Sequence, residues 1–242
     1  MTETSPKIYT RAIGLFLILT MIGGWYGEAY VPSLFMTGDA ATTAAQLKNN
    51  ESLFRLGFAA YLVEAFSDIV LAWLFYVILR PVHRELALLS AFFGLVSMAL
   101  FAVTQMFYVS APLFLTGHKY LAAFSPEQLQ ALSKLFLTID ANLSDLFMAL
   151  YGTAWILRGV LTFRSSYLPS LLGALMIVAG AGFFANNVTQ VMAPQYSSQM
   201  LLLPMFLNVI VLTFWMLARG VNVNEWNSAI SHNPETVRSF TK

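Results

Sequence analysis

The chain has 242 residues, 58% of them hydrophobic and only 10% charged, with a net charge of +1 and a mean hydropathy of +0.67. A soluble domain carries roughly 25% charged residues, so a water-facing surface is excluded, and the near-neutral balance leaves no basic field for nucleic acid. Without cysteine there is no disulfide framework, thiolate metal site or thiol nucleophile.

In chain order, six apolar segments are each long enough to cross a hydrocarbon core of about 30 Å. They are Thr10 to Val31, Ser52 to Leu79, Leu86 to Leu115, Leu135 to Phe163, Pro169 to Met192 and Gln199 to Ala218. Gly27-Glu28-Ala29 resembles a leader cleavage site, but the run from Ala12 to Val31 reads better as a first span. Gly38 to Asn50 predicts a short interfacial helix on the outer side. Asn50 is placed to cap span two, and Ser125-Pro126-Glu127-Gln128 reads as a capping box. Tyr167-Leu168-Pro169 opens span five. The helical pattern from Glu127 onward outruns a bilayer, and an extension outside the membrane up to about Lys134 accommodates the excess.

Arginine and lysine orient the spans. Lys7, Arg11, Arg80, Arg84, Arg158, Arg164 and Arg219 flank the loops of one side, so the positive-inside rule puts both termini in the cytoplasm. The stretch 221–242 is expected to be a polar, loosely ordered cytoplasmic tail, with 1–220 forming the membrane domain.

Charged groups within a bilayer are costly and usually face a partner, the bundle interior or a water-filled cavity. Glu64 and Asp68 in span two, and Asp140 and Asp145 in span four, are therefore the leading candidates. With Arg80 and Arg158 as boundary markers, Asp68 and Asp145 come out about 18 and 20 Å deep, and Glu64 and Asp140 about 24 and 27 Å. Glu28, Gln105, Asn186, Asn187 and Gln190 fall in the same outer half, with Asn208 near the midplane. Little polarity falls in the inner half, which predicts a cavity that opens outward and closes toward the cytoplasm. Gly57, Tyr61, Glu64, Asp68 and Ala72 make one helical stripe, and Thr138, Ala141, Asp145, Ala149 and Gly152 another. Small residues permit close approach, so spans two and four are expected to face each other or share a lumen.

His83, His118 and His232 fall in loops or the tail, so paired haem ligation and a zinc site are not expected. No nucleophile elbow, phosphate-cradling loop or nucleotide fingerprint occurs. Gly23-Gly24 reads as a packing site, and Trp25, Tyr26, Tyr30, Tyr108, Tyr120 and Trp226 as interfacial aromatics.

Gly38-Asp39-Ala40-Ala41, the run Ser52 to Ala60 with Asp68 following, Leu79-Arg80-Pro81-Val82, Leu86 to Phe93, Tyr120 to Phe124 and Phe163 to Pro169 occur in an order that resembles a bacterial polytopic membrane family, domain of unknown function 4386. That resemblance implies a bacterial inner-membrane protein and supplies no catalytic residues. It also implies an acidic and a basic residue where this chain has Tyr61 and Gly94.

The expectation is an all-α bundle of six transmembrane helices binding or transporting a small cationic or polar solute. Asp68 and Asp145 would be central, Glu64 and Asp140 at the mouth, and Asn186, Gln190 and Asn208 the polar lining. No metal or cofactor is expected; the partners are membrane lipids, the solute and a membrane-protein partner. The alternatives are an accessory or scaffold subunit, and an intramembrane enzyme acting on lipid.

Overall fold

In a computed structural model, which describes residues 5–36 and 38–231, six helical spans enclose a common centre. Span one is α1 (Pro6–Gly24), a π-helical turn (Trp25–Tyr30) and α2 (Val31–Phe35). The ring of Pro32 crowds the carbonyl four residues back and brings no N–H, and the wide turn just before it relieves that conflict. After α3 (Ala40–Asn49) come α4 (Glu51–Leu79), α5 (Arg84–Ser110), the 39-residue α6 (Pro126–Arg164), α7 (Ser170–Met192), α8 (Leu203–Ala218) and α9 (Val223–Ser231). No strand occurs among the described residues.

Spans pack against their sequence neighbours, α1 on α4, α4 on α5, α5 on α6, α6 on α7 and α7 on α8, and α8 closes on α1. Short connections between antiparallel helices lead to this up-and-down arrangement. Glycine sets the tightest seam: a Cβ on Gly152 would stand 2.9 Å from the Gly180 carbonyl, and one on Gly159 would stand 2.9 Å from that of Gly173. Hydroxyls tie α5 to α6, with Ser97 donating to the Phe147 carbonyl at 2.7 Å and Ser90 to that of Ala154 at 3.2 Å. Because lipid gives helices little hydrophobic reason to associate, close backbone approach and such bonds hold the bundle. The outer faces are apolar, as at Phe66, Leu171 and Phe214, and suit lipid.

The end bearing Arg80, Arg84, Arg164 and Arg219 is filled. Ile13, Leu17, Leu71, Phe75, Ile78, Trp155, Met176, Leu212 and Met216 form its core. The Tyr167 hydroxyl, pushed up by burial, donates to the Ile78 carbonyl at 2.7 Å. Gly220, at φ +66, ends α8 and turns the chain back onto Thr10, so the first and last spans meet at this end.

At the opposite end α3 rests on α6 and the turn Ala111–Leu115, burying Thr43, Ala44 and Leu47. Asp39 caps it by accepting from the Thr42 N–H at 2.8 Å, which holds its carboxyl below the ordinary value. The Lys134 ammonium donates to the Gly38 carbonyl.

Several expectations change. Asn50 does not cap α4; its amide donates back to the Gln46 carbonyl. The Ser125–Gln128 capping box is present as expected, and α6 is one continuous helix in which the Ser144 hydroxyl donates to the Asp140 carbonyl at 2.9 Å. The segment after Gly220 opens with a helix whose Trp226 is buried in the core rather than interfacial; His232 and the residues after it lie outside those described. Tyr108 is likewise buried, stacked on Phe54 at 4.2 Å.

Candidate functional site

In the half of the ring away from the arginines, a cavity of about 210 Å³ lies between the first four spans. Span one contributes Glu28, Pro32, Phe35 and Met36; α4 contributes Tyr61 and α5 Tyr108; α6 contributes Leu137, Asp140, Ala141, Ser144, Asp145 and Met148. The π turn aims Glu28 inward while Trp25 faces out, 62% exposed. Such turns often occur at functional sites. Asp140 is buried and meets the Gln105 amide at a long 3.5 Å, whereas Asp145 is half-exposed at the rim.

Beneath the cavity the acidic line continues down α4. Glu64 packs against Gly23 and Gly24 of α1, where absent side chains leave it room, and its Oε2 has no hydrogen-bond partner among the described residues. One turn further, Asp68 accepts at Oδ1 from the Tyr151 hydroxyl at 2.8 Å and the Thr20 hydroxyl at 3.4 Å. Below these sits Arg158, 1% exposed, with its guanidinium carbon 4.9 Å from the Phe75 ring and 5.3 Å from the Trp155 ring. Among the described residues no three acidic or histidine side chains gather as a metal cage would need. The carboxylates instead follow one another along the lumen.

Asp68 level with Tyr151 corrects the depth scale. Arg158 is buried in the bundle and does not mark the end of the span; Arg164 ends α6. Along the helix from Arg164, Tyr151 is about 20 Å away, Asp145 about 28 Å and Asp140 about 36 Å. The two carboxylate pairs therefore do not match in depth. The small-residue stripe of α6 divides: Ala141 and Asp145 line the cavity, whereas Gly152 packs on α7. Below the cavity α6 meets α4 through Tyr151 at Asp68 and Arg158 at Phe75.

Asn186, Gln190 and Asn208 do not border the cavity. Asn186 is buried in α7, Gln190 is exposed, and Asn208 is fully buried in α8 with no hydrogen-bond partner for its amide among the described residues.

The family model described as Domain of unknown function (DUF4386) matches residues 12–220, which includes every group named above. The chain belongs to this family. It is also similar to an uncharacterized protein of Archaeoglobus fulgidus, 24% identical over 161 residues, covering 65% of this chain and 80% of the relative. No solved structure matches.

Within this DUF4386 chain, sequence reasoning left out Glu28, Tyr61, Tyr108, Tyr151 and Arg158 as site residues. The signal for the last two was available: Asp140, Ser144, Phe147, Tyr151, Trp155 and Arg158 repeat at three or four residues, one helical face. At Gly94, where the resemblance implies a basic residue, the chain has none, and the space beside it holds Arg158, whose Nη2 stands 2.9 Å from where a Cβ on Gly94 would be.

Proposed function

We propose that this protein binds or conducts a small cationic or polar solute through an acidic cavity facing outward from a bacterial cytoplasmic membrane, with both termini in the cytoplasm. The carrying observation is the cavity itself, with Glu28, Asp140 and Asp145 on its wall beside Tyr61 and Tyr108. Carboxylates attract a cation, and aromatic faces add cation–π attraction in a space of low dielectric. The apolar plug at the arginine-rich end supports a site reached from the other side, and the positive-inside rule assigns that side to the exterior.

The test uses purified protein in lipid nanodiscs and tetramethylammonium as the probe, followed by calorimetry. Wild type should bind, and Glu28→Gln combined with Asp140→Asn should lose at least about tenfold in affinity, or 1.4 kcal/mol. Undiminished affinity in a folded double variant overturns the proposal.

A further inference from the structure

A guanidinium taken out of water needs an acceptor or a counter-charge. None of the three nitrogens of Arg158 is in hydrogen-bond geometry with an acceptor among the described residues. The Phe75 and Trp155 rings flank it, and Gly94 leaves it space. Ring contacts alone return less than lost hydration costs.

Tyr151, two turns before Arg158 on the same helix, donates to Asp68 at 2.8 Å and so brings that carboxylate to the face of α6 on which the guanidinium lies, near enough for the two charges to attract. The two are not in direct ion-pair contact. Asp68 uses Oδ1 for both of its hydroxyl donors, and Oδ2 takes no hydrogen bond from the described residues. One carboxylate oxygen and one guanidinium are thus without a direct hydrogen-bond partner among the described residues at neighbouring levels of the bundle. Above them Glu64, Glu28, Asp140 and Asp145 carry the remaining acidic groups around the centre, and α5 contributes Tyr108 and the neutral Gln105.

We propose that Arg158 is the resident counter-cation of Asp68, bridged to it by water or the Tyr151 hydroxyl, and that it competes with a cationic solute for the acidic groups of the lumen. This rests on the cation-binding reading above. The exchange is charge-compensated: as an external cation settles against the acidic line, the hold of Arg158 on Asp68 is replaced rather than simply broken. Arg158 therefore sets how strongly the cavity holds a cation. It acts through Asp68 and does not touch the solute.

Wild type, Arg158→Met, Asp68→Asn and the double variant are compared in nanodiscs by thermal unfolding and by tetramethylammonium binding. Each single change should lower the unfolding midpoint, and the double should lower it by clearly less than the sum, because no lone buried charge remains. Arg158→Met should bind the probe roughly tenfold more tightly, and Arg158→Lys should stay near wild type. Additive midpoints overturn the pair. Unchanged or weaker binding by folded Arg158→Met overturns the competition. If no variant binds the probe while the midpoints stay non-additive, the cation reading falls with the competition and the pair stands. Should Arg158→Met fail to fold, Arg158→Gln takes its place, and recovery of folding on adding Asp68→Asn supports the pair.

Discussion

The Tyr151 hydroxyl donates to Asp68 Oδ1 at 2.8 Å, joining the second and fourth spans across the centre of a ring in which those two spans make only slight backbone contact. It fixes the relative level of the two helices, and it separates the acidic cavity above from the buried arginine below.

Removing that donor should cost stability. Tyr151→Phe leaves Asp68, among the described residues, with only the 3.4 Å bond from Thr20, and loss of a hydrogen bond to a buried charged group costs roughly 1.5–3 kcal/mol. Thermal unfolding in nanodiscs measures it, and an unchanged midpoint contradicts the role given to this bond.

Glycines should differ by what they face. Gly159→Ala drives a Cβ to 2.7 Å from the Ile177 backbone nitrogen, which cannot move without separating α6 from α7. Gly94→Ala crowds the guanidinium end of Arg158, a flexible side chain, and comes to ordinary contact with the Ala72 Cβ at 3.4 Å. Gly159→Ala should therefore lower the unfolding midpoint more, and the reverse order contradicts the seam described here.

Ser125 and Gln128 reciprocally cap α6 at 3.3 and 2.9 Å. Ser125→Ala should destabilise the first turn by about 1 kcal/mol. Hydrogen exchange should quicken over residues 127–130 and stay unchanged near Tyr151.

Acid should loosen α3 through its cap. The Asp39 carboxyl is held below its ordinary 3.8 by the Thr42 N–H, so its contribution is complete above that value and is lost as pH falls through the lower folded value. Amide exchange over 40–49, corrected for intrinsic rates, should show increased opening below about pH 4 in wild type. In Asp39→Asn this step should vanish.

The six spans were legible because apolar length is a local property, and Pro126 and Pro169 mark helix starts without tertiary help. Even the unusual length of α6 was visible. The misplacement of Arg158 has a physical cause: an arginine near a span's end ordinarily snorkels to the interface, and nothing adjacent in the chain says otherwise. Its rings and counter-charge come partly from α4, as Phe75 and Asp68, and its space from α5, as Gly94. Asn208 and Gln190 were assigned to the lumen by depth alone, and depth does not determine which way a helix is turned.

Sequence by itself determined the membrane class, the number of spans, the capping of α6 and the presence of acidic groups within the apolar segments, since each follows from composition or from neighbours within a turn or two. Only tertiary structure decided which groups meet. Helix rotation and relative level are set by where glycines let backbones approach, as at Gly23, Gly152 and Gly159, and these contacts join residues far apart in the chain. They put Glu28 and Asp140 on one cavity and Tyr151 at Asp68, with Arg158 beneath them.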